Sequence, residues 1–441
     1  MRPKTLLSVT DGVFLVAGMV IGVGIFKAPG LVAANSSSAA EFFFAWLLGG
    51  AASLCGALVY AELAARHPET GGEYAFLRRG LGEGPAFVFA WARMTVIQTG
   101  AIAAVAFVLG DYASQLLPLG ARSPAAWAAI SVVLLTLLNI AGTLQSKTLQ
   151  KAMEMLLIFS LVALSIGGIV RGAGTTAAAA APPAGGAGGF ALMMIFVLYT
   201  YGGWNECAYL AGEVREPRRN MVKVLALGIV IVTALYLLVN LGYYSALGLG
   251  GMKASKAIAS DVIRLIAGER AAALLAVIVC VSAATTINAA IFTGARTNYA
   301  FGTDFRLFRG LGRWREAGST PANALLVQGA ITLVLIWAGS FTPDGFEAMV
   351  AYTLPVFWTF FLLTGLTLLV FRRKDPQAPE FRVPLFPWVP LAFYAMCLFM
   401  LWASVDYLRN PVYGPKFGAL VLAGLAVMAL GIPLYFFVRK K

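Results

Sequence analysis

The chain has 441 residues, of which 60% are hydrophobic and only 12% are charged. Soluble domains carry about 25% charged residues, so a single soluble core is excluded and several membrane-spanning helices are needed to hold this much apolar sequence. The formal net charge of +13 would favour a nucleic acid partner in a soluble protein, but the charges here follow the connections between apolar segments. We therefore expect a lipid bilayer, and no nucleic acid, as the partner of this surface.

The apolar segments predict twelve spans, at residues 9–34, 41–65, 85–117, 125–142, 152–170, 190–211, 222–247, 271–300, 322–340, 346–371, 386–405 and 415–438. If the N-terminus is cytoplasmic and the sides alternate, most Lys and Arg residues fall in cytoplasmic connections, as the positive-inside rule requires. Both ends are then cytoplasmic. This pattern predicts an integral membrane protein, which we assign to a bacterial cytoplasmic membrane.

The first apolar segment is interrupted by small residues in GMVIGVGIFKAP, Gly18 to Pro29. Glycine allows the backbone to leave the helix, and the freed amides and carbonyls then need other partners. A new half-helix near Phe26 would present its free amides to an anion such as an amino acid carboxylate. The alternative is a glycine patch that packs against a neighbouring helix. Lys27, directly after the break, is either a partner for a carboxylate or a snorkelling side chain.

A second interrupted segment, YTYGGWNE from Tyr199 to Glu206, follows a stretch rich in Ala, Gly and Pro. That stretch predicts a flexible outer loop at 172–189. The predicted organisation is a five-span repeat at 1–171, the loop, a second five-span repeat at 190–373, and a two-span appendage at 374–441. Because five is odd, the second repeat inserts with the opposite orientation. Broken spans at corresponding positions of two inverted halves indicate a transporter with a site near the bilayer midplane.

The first half of the sixth span should end near Tyr199 to Tyr201, where unpaired carbonyls would suit an ammonium group. Tyr199 is placed to act as an aromatic lid and Trp204 to anchor the second half-helix. Simple packing or lipid contact is the alternative for each aromatic residue.

Two connecting segments complete the predicted organisation. Residues 251–268 predict a short polar outer helix, and residues 302–320 predict a basic cytoplasmic loop.

Cofactor and metal chemistry has little support in this sequence. The only histidine is His67, in a predicted cytoplasmic turn. The four cysteines lie in or beside apolar spans with no spacing that suggests a disulfide or a zinc site; they are Cys55, Cys207, Cys280 and Cys397. We therefore expect no metal, no cofactor and no enzymatic activity.

Five motifs together resemble the amino acid–polyamine–organocation superfamily, and most closely its L-type amino acid transporter branch with the bacterial relatives. They are GMVIGVGIFKAP, YAELAARHPETGGEYAFL, YTYGGWNE, AGEVREPRRN and INAAIFTGARTNYAFG. The resemblance implies an all-α polytopic membrane protein of the LeuT-type 5+5 inverted-repeat fold, with twelve transmembrane helices of which the first and sixth are broken. It also implies a substrate site on the two breaks, with Tyr199 as the gating aromatic. The implied substrate-binding residues are Ile21, Gly22, Val23, Gly24 and Ile25 in the first break and Tyr199, Thr200, Tyr201, Gly202 and Asn205 in the second.

The fifth span departs from this family. Many sodium-independent members carry a lysine where this chain has Leu157, while Glu154 lies one helical turn earlier on nearly the same face. Charges inside spans are costly and are usually functional or paired, so Glu154 and Lys27 are candidates for coupling. Glu154 is alternatively a hydrated carboxylate beside Lys151. Val23 also stands where many relatives have a small hydroxyl residue.

Three further groups of charged residues lie in or beside the predicted spans. Arg93 and Glu41 are expected to be interface residues. Glu213 and Arg215 to Arg219 resemble an inner-gate segment, or are a solvated loop.

These observations predict a secondary active transporter, or permease, of amino acids that works by alternating access. Neutral L-amino acids and sodium-independent exchange or proton-linked uptake are favoured. A carrier of cationic amino acids or polyamines is the alternative, since Glu206 and Glu154 could recognise a positive side chain. A membrane-embedded enzyme or a channel is disfavoured by the lone histidine and by the two breaks. The oligomeric state is left open.

Overall fold

The computed structural model describes residues 8–67, 71–142, 147–172, 187–206, 214–255, 257–315, 320–374, 381–410 and 414–439. These residues fold into helices joined by short connections. The helices are α1 Val9–Val20, α2 Ala28–Asn35, α3 Ala39–Arg66, α4 Gly72–Leu81, α5 Glu83–Ala92, α6 Gln98–Leu116, α7 Ser123–Ala141, α8 Lys147–Arg171, α9 Ala187–Thr200, α10 Pro217–Ala254, α11 Ile258–Asp304, α12 Ala322–Gly339, α13 Gly345–Lys374, α14 Trp388–Arg409 and α15 Gly414–Arg439.

Within the described residues, ten helices are long and apolar enough to cross a membrane. One of them joins α5 to α6 through a π-helical segment, Arg93–Ile97. The two predicted spans outside this set are those that contain the glycine-rich segments. Of these, α1 has 12 residues and extends only about 18 Å at 1.5 Å per residue, which is short of a hydrocarbon core about 30 Å thick. A membrane protein is therefore supported, and the glycine-rich segments lie at the ends of the shorter helices α1 and α9.

The connections around α10 and α11 differ from the prediction. Residues 251–268 were expected to form one short helix, but they form the end of α10 and the start of α11, separated near Ser255. Gly248 and Gly268 leave helical geometry with φ of 64° and 80°. Because glycine adopts positive φ without steric cost, the chain bends at these two points. The bend at Gly268 separates residues 258–267 from the rest of α11, so a short helical segment does lie within the predicted stretch, while residues 251–254 belong to the end of α10.

The predicted loops are only partly covered. Residues 173–186 of the predicted outer loop lie outside the described residues, and α9 begins at Ala187 rather than at residue 190. In the predicted basic loop at 302–320, α11 extends to Asp304 and a short 3-10 helix covers Arg306–Phe308.

Close helix contacts are made at glycines of α3, α8 and α10. A Cβ atom on Gly50 of α3 would lie 2.4 Å from Oγ1 of Thr233 on α10, and one on Gly228 of α10 would lie 2.5 Å from a methyl group of Val16 on α1. A Cβ atom on Gly168 of α8 would lie 2.4 Å from the carbonyl oxygen of Gly242. Small residues of this kind let membrane helices approach closely. They bring α10 against the first break.

A buried ion cluster ties α3 to α13. The carboxylate of Glu62 is fully buried; it accepts hydrogen bonds from the Arg66 guanidinium at 2.9 Å and from Arg372 Nε at 2.9 Å. It also accepts one from the backbone amide of Val383 at 2.8 Å. A buried charge of this kind is stable only with such partners. The cluster lies on the side of the molecule that the charge distribution predicts to be cytoplasmic.

Candidate functional site

The first break is present where the glycines predict it. Helix α1 ends at Val20, and Ile21 and Gly22 leave helical geometry with ψ of 80° and −176°. A short 3-10 helix, Val23–Phe26, follows, and α2 begins at Ala28. The first amides of a helix have no acceptor within it, so the start of this 3-10 helix presents backbone donors beside the small residue Gly24. Gly22 and Gly24 are partly accessible, whereas Val23 and Ile25 are buried.

The second break begins at Thr200, the last residue of α9. The amide of Gly202 donates to the carbonyl oxygen of Tyr199 at 3.0 Å, and Gly203 has φ of 109°. This left-handed region is favourable only for glycine. The chain resumes as a short 3-10 turn at 204–206. Both predicted interruptions are therefore real departures from helical geometry.

The two breaks touch each other. A Cβ atom on Gly24 would lie 3.4 Å from Oγ1 of Thr200, so the first break faces the end of α9 directly. A Cβ atom on Gly203 would lie 2.4 Å from the carbonyl oxygen of Met19, a distance that no side chain tolerates. Glycine at this position allows the backbones of the two segments to meet. Gly203 was not among the predicted site residues, although it is the second glycine of the YGGW motif.

Tyr236 of α10 joins the two breaks. Its hydroxyl donates to the carbonyl oxygen of Val20 at 2.7 Å and lies 3.1 Å from the carbonyl oxygen of Thr200. The side chain is fully buried and packs edge-on against Trp46 and Tyr201. Since these carbonyls end α1 and α9, one hydroxyl is shared between a terminal acceptor of each helix. Nothing in the sequence distinguished Tyr236 from other tyrosines in apolar spans.

Not every predicted site residue turns toward the junction between the breaks. Tyr201 is fully buried, and its hydroxyl donates to the Trp46 carbonyl oxygen at 3.1 Å. The side-chain amide of Asn205 donates to Glu73 of α4 at 3.4 Å. Tyr199 is partly buried and packs edge-on against Phe346 at a centroid distance of 5.5 Å. The junction itself is built from Gly24, Thr200 and the neighbouring backbone.

Lys27, next to the first break, lies between two carboxylates. Its Nζ is 2.8 Å from Asp111 Oδ2 and 2.7 Å from Asp344 Oδ2, and the residue is only 8% exposed. Of the two predicted roles, the partner for a carboxylate is therefore correct. The carboxylates come from α6 and from the residue that precedes α13.

A second charged group lies beyond the second break. Arg93, in the π-helical segment, donates to Glu206 at 2.9 Å and lies 3.7 Å from a carboxylate oxygen of Glu73. The Tyr60 hydroxyl also donates to Glu73, at 2.8 Å. The prediction that Arg93 is an interface residue is wrong, because its side chain is 6% exposed and is compensated by two carboxylates. Such compensation allows a guanidinium to be buried.

Glu154 of α8 packs against the first half of the broken span. A Cβ atom on Gly18 would lie 2.7 Å from Glu154 Oε2, so the carboxylate occupies the space beside this glycine. Leu157, one turn further along, is buried in the core. The side chain of Lys151, the alternative partner, lies outside the described residues, as does Glu213 of the predicted inner-gate segment. Arg215 and Arg219 of that segment are exposed.

Comparison with known proteins identifies the family of this chain. A family model described as amino acid permease matches residues 7–428. This chain belongs to the amino acid permease family. The resemblance to the amino acid–polyamine–organocation superfamily is thereby confirmed.

Individual relatives are similar over most of their length. The permease is 27% identical to b(0,+)-type amino acid transporter 1 of Mus musculus over 409 residues, which cover 90% of this chain and 81% of that protein. It is 25% identical to the serine/threonine exchanger SteT of Bacillus subtilis (strain 168) over 434 residues, covering 97% and 95%. It is 28% identical to the large neutral amino acids transporter small subunit 2 of Mus musculus over 440 residues, covering 96% and 78%. The family and these relatives are transporters rather than enzymes, and amino acid transport is confirmed at that level.

The position of Tyr236 in the permease generates a prediction about how the breaks are held. Tyr236→Phe removes only the hydroxyl and leaves two terminal carbonyls with one donor fewer. We expect a loss of stability of about 1–3 kcal/mol, seen as a lower apparent melting temperature in detergent, together with weaker binding of amino acids in thermal-shift titrations.

Tyr243→Phe is the matched control for this prediction. Tyr243 lies two turns further along α10 and is also fully buried, but its hydroxyl has no hydrogen-bond partner among the described residues. Removing that hydroxyl should leave melting and binding unchanged or slightly raise stability. Equal effects of the two substitutions would contradict a specific role for Tyr236.

Proposed function

We propose that this permease is a secondary active transporter of neutral L-amino acids that works by alternating access, with a LeuT-type 5+5 inverted repeat and twelve transmembrane helices. The observation that carries the proposal is the contact between the two helix breaks, at Gly24 and Thr200. Irregular backbone at membrane depth is tolerated only where protein or a cavity satisfies it, and in transporters such breaks bind the substrate. In the part of the chain that the structure describes, ten helices long enough to cross a membrane and two broken segments support a total of twelve.

The proposed site binds the carboxylate and the ammonium group of an amino acid with main-chain groups. The amides at the start of the 3-10 helix, Val23–Phe26, would bind the carboxylate. The carbonyls at the end of α9, around Thr200, would accept from the ammonium group. Gly22 supports this placement, because a Cβ atom there would meet only the carbonyl oxygen of Val20 within 4 Å. Open space beside Gly22 is what a ligand bound to the backbone would need.

Neutral substrates are favoured over cationic ones by the partners of Glu206. The sequence allowed this carboxylate to recognise a positive side chain, but it lies 2.9 Å from Arg93. A compensated carboxylate attracts a second cation weakly. The names of two relatives point the same way, since one is a serine/threonine exchanger and one a transporter of large neutral amino acids. Cationic substrates are the second candidate, because the carboxylate of Glu154 lies beside Gly18 in the first half of the broken span.

The proposed organisation follows the predicted boundaries. Residues 1–171 and 190–373 form the two inverted repeats, residues 172–189 the connecting outer loop, and residues 374–441 the appendage. Both termini are cytoplasmic, and the protein resides in a bacterial cytoplasmic membrane. Under this orientation Lys27 lies on the outer side of the junction and Arg93 on the inner side.

Gly24→Leu tests main-chain recognition. With a Cβ atom already 3.4 Å from Thr200, the larger side chain would fill the junction, and we expect amino acid binding to fall below detection in thermal-shift titrations. Gly310→Leu is the control, because a Cβ atom at Gly310 meets nothing within 4 Å. A folded Gly24→Leu protein with the affinity of the parent would contradict the proposed site.

Tyr199→Ala tests whether this aromatic residue acts as a lid. Loss of the ring removes the contact with Phe346, so we expect transport in proteoliposomes to fall at least tenfold, because lid closure commits the substrate. Tyr299→Ala is the control, since Tyr299 packs edge-on against Trp314 with a similar separation of 5.2 Å away from the breaks. Parental transport rates in Tyr199→Ala would exclude the lid.

Ion dependence tests the proposed coupling. We expect uptake to persist when choline replaces sodium at fixed pH, and Glu154→Gln to change the pH profile of uptake, because a carboxylate inside a span is the candidate proton carrier. Glu83→Gln is the control, because that side chain is 63% exposed and distant in sequence from both breaks. Strict sodium dependence would refute the first expectation, and identical pH profiles of Glu154→Gln and the parent would refute the second.

A further inference from the structure

The segment that precedes and begins α13 reaches both helix breaks. Asp344 contacts Lys27 at the first break, and Phe346, two residues later, packs against Tyr199 just before the second. One charged contact and one aromatic contact thus connect the same turn of chain to both halves of the junction. We propose that Lys27, with Asp111 and Asp344, is an ionic latch that holds the outer side of the substrate site closed. This inference rests on the proposed transport function.

Asp344 has two separate functions in this arrangement. Its Oδ1 accepts the backbone amide of Glu347 at 3.0 Å, which caps the start of α13, while its Oδ2 lies 2.7 Å from Lys27 Nζ. A capping carboxylate has a fixed orientation because the helix terminus holds it. The cap thus fixes the Asp344 side chain, and its second oxygen points at Lys27 without a further loss of freedom by Asp344. The latch joins the rigid end of α13 to the residue directly after the first break.

Asp111 connects the same lysine to α6. The neighbouring residue Tyr112 donates its hydroxyl to the carbonyl oxygen of Phe26 at 3.1 Å. The sequential pairs Phe26–Lys27 and Asp111–Tyr112 thus make two adjacent contacts between the first break and α6. The Tyr112 contact does not involve α13. Movement of α13 away from the break would consequently break the Asp344 contact first and could leave the α6 contacts in place.

The stability of the latch depends on the buried positive charge of Lys27. The lysine side chain is 7% exposed, and the two carboxylate side chains are 24% and 23% exposed. One ammonium lies between two carboxylates, so without it two like charges would face each other in a poorly hydrated place. Replacement of Lys27 by a neutral residue should therefore separate α13 from the break. Replacement of Asp344 should release α13 but leave Lys27 paired with Asp111.

A second outer ion cluster provides a matched control. Arg264 of α11 also lies between two carboxylates, 2.7 Å from Asp261 and 2.7 Å from Glu269. Its side chain is 38% exposed, and exposed ion pairs contribute little. Arg264→Gln removes the same charge from a cluster with the same number of carboxylates. It differs from Lys27→Gln in burial and in distance from the breaks.

The test measures access to the junction and does not require transport. Thr200→Cys places a thiol on the residue that faces Gly24, and a charged methanethiosulfonate reagent is applied to the protein in nanodiscs, where both faces are open to solution. The protein without this substitution reports the background from the native cysteines. We expect Lys27→Gln to raise the labelling rate of the introduced thiol about tenfold or more, as loss of a buried ion pair should, and Asp344→Asn to raise it by a smaller factor. Lys27→Arg and Arg264→Gln should label at close to the parental rate.

Three outcomes would overturn the latch: parental labelling in folded Lys27→Gln, parental labelling in Asp344→Asn, or an equal increase in Arg264→Gln. If Lys27→Gln does not fold, Asp344→Asn decides alone, because it keeps a one-to-one pair with Asp111. Increased labelling in the latch variants, together with no amino acid uptake by the unsubstituted protein in proteoliposomes, would support the latch and contradict the transport function. Amino acid uptake by the unsubstituted protein, together with unchanged labelling in the latch variants, would support the transport function and contradict the latch.

Discussion

A polar backbone group that is exposed to hydrocarbon costs several kcal/mol, and this cost governs the centre of the permease. Helices α1 and α9 both end within segments that the sequence predicts to span the membrane, and each leaves carbonyl oxygens that its own helix cannot satisfy. The hydroxyl of Tyr236 donates to the last carbonyl of α1 and lies beside the last carbonyl of α9. Its ring is buried among Trp46 and Tyr201, which fixes the hydroxyl in place. The rest of the junction, including the glycines that bring the breaks together, depends on this arrangement being tolerated in a membrane.

The sequence predicted the interruptions well because glycine acts locally. Gly22 leaves helical geometry for a reason that does not depend on tertiary structure, and the ten helices long enough to cross a membrane follow from apolar length and composition. The partners of the charged residues could not be predicted from the sequence. Lys27 is separated from Asp111 by 84 residues, and no periodicity connects them. Arg93 was assigned to an interface because a lone charge in a span gives no sign of the two carboxylates that bury it. Tyr236 had no distinguishing neighbour in the sequence.

Charged clusters lie on both sides of the junction, and each joins a break to a helix that is not broken. Lys27 links the first break to α6 and α13, while Glu206, after the second break, pairs with Arg93 in the π-helical segment that joins α5 to α6. That continuous helix, Glu83–Leu116, therefore contacts both clusters, at Arg93 in its first half and at Asp111 near its C-terminal end. π-helical segments occur frequently at functional sites. Under the proposed alternating access, a rigid element that meets both clusters would favour the closure of one side when the other side opens, provided that the clusters are not equally stable in every state.

The hydroxyl of Tyr236 has one hydrogen and two acceptors within 3.1 Å. A hydroxyl can donate fully to only one of them at a time, so at any instant either the Val20 or the Thr200 carbonyl has unused accepting capacity. An ammonium group that arrives at the end of α9 would take the Thr200 carbonyl and leave the hydroxyl to Val20. By linkage, if ligand binding at the proposed site favours the bond to Val20, that bond favours ligand binding by the same coupling free energy. The orientation of a single proton thus connects the occupancy of one broken helix to the geometry of the other.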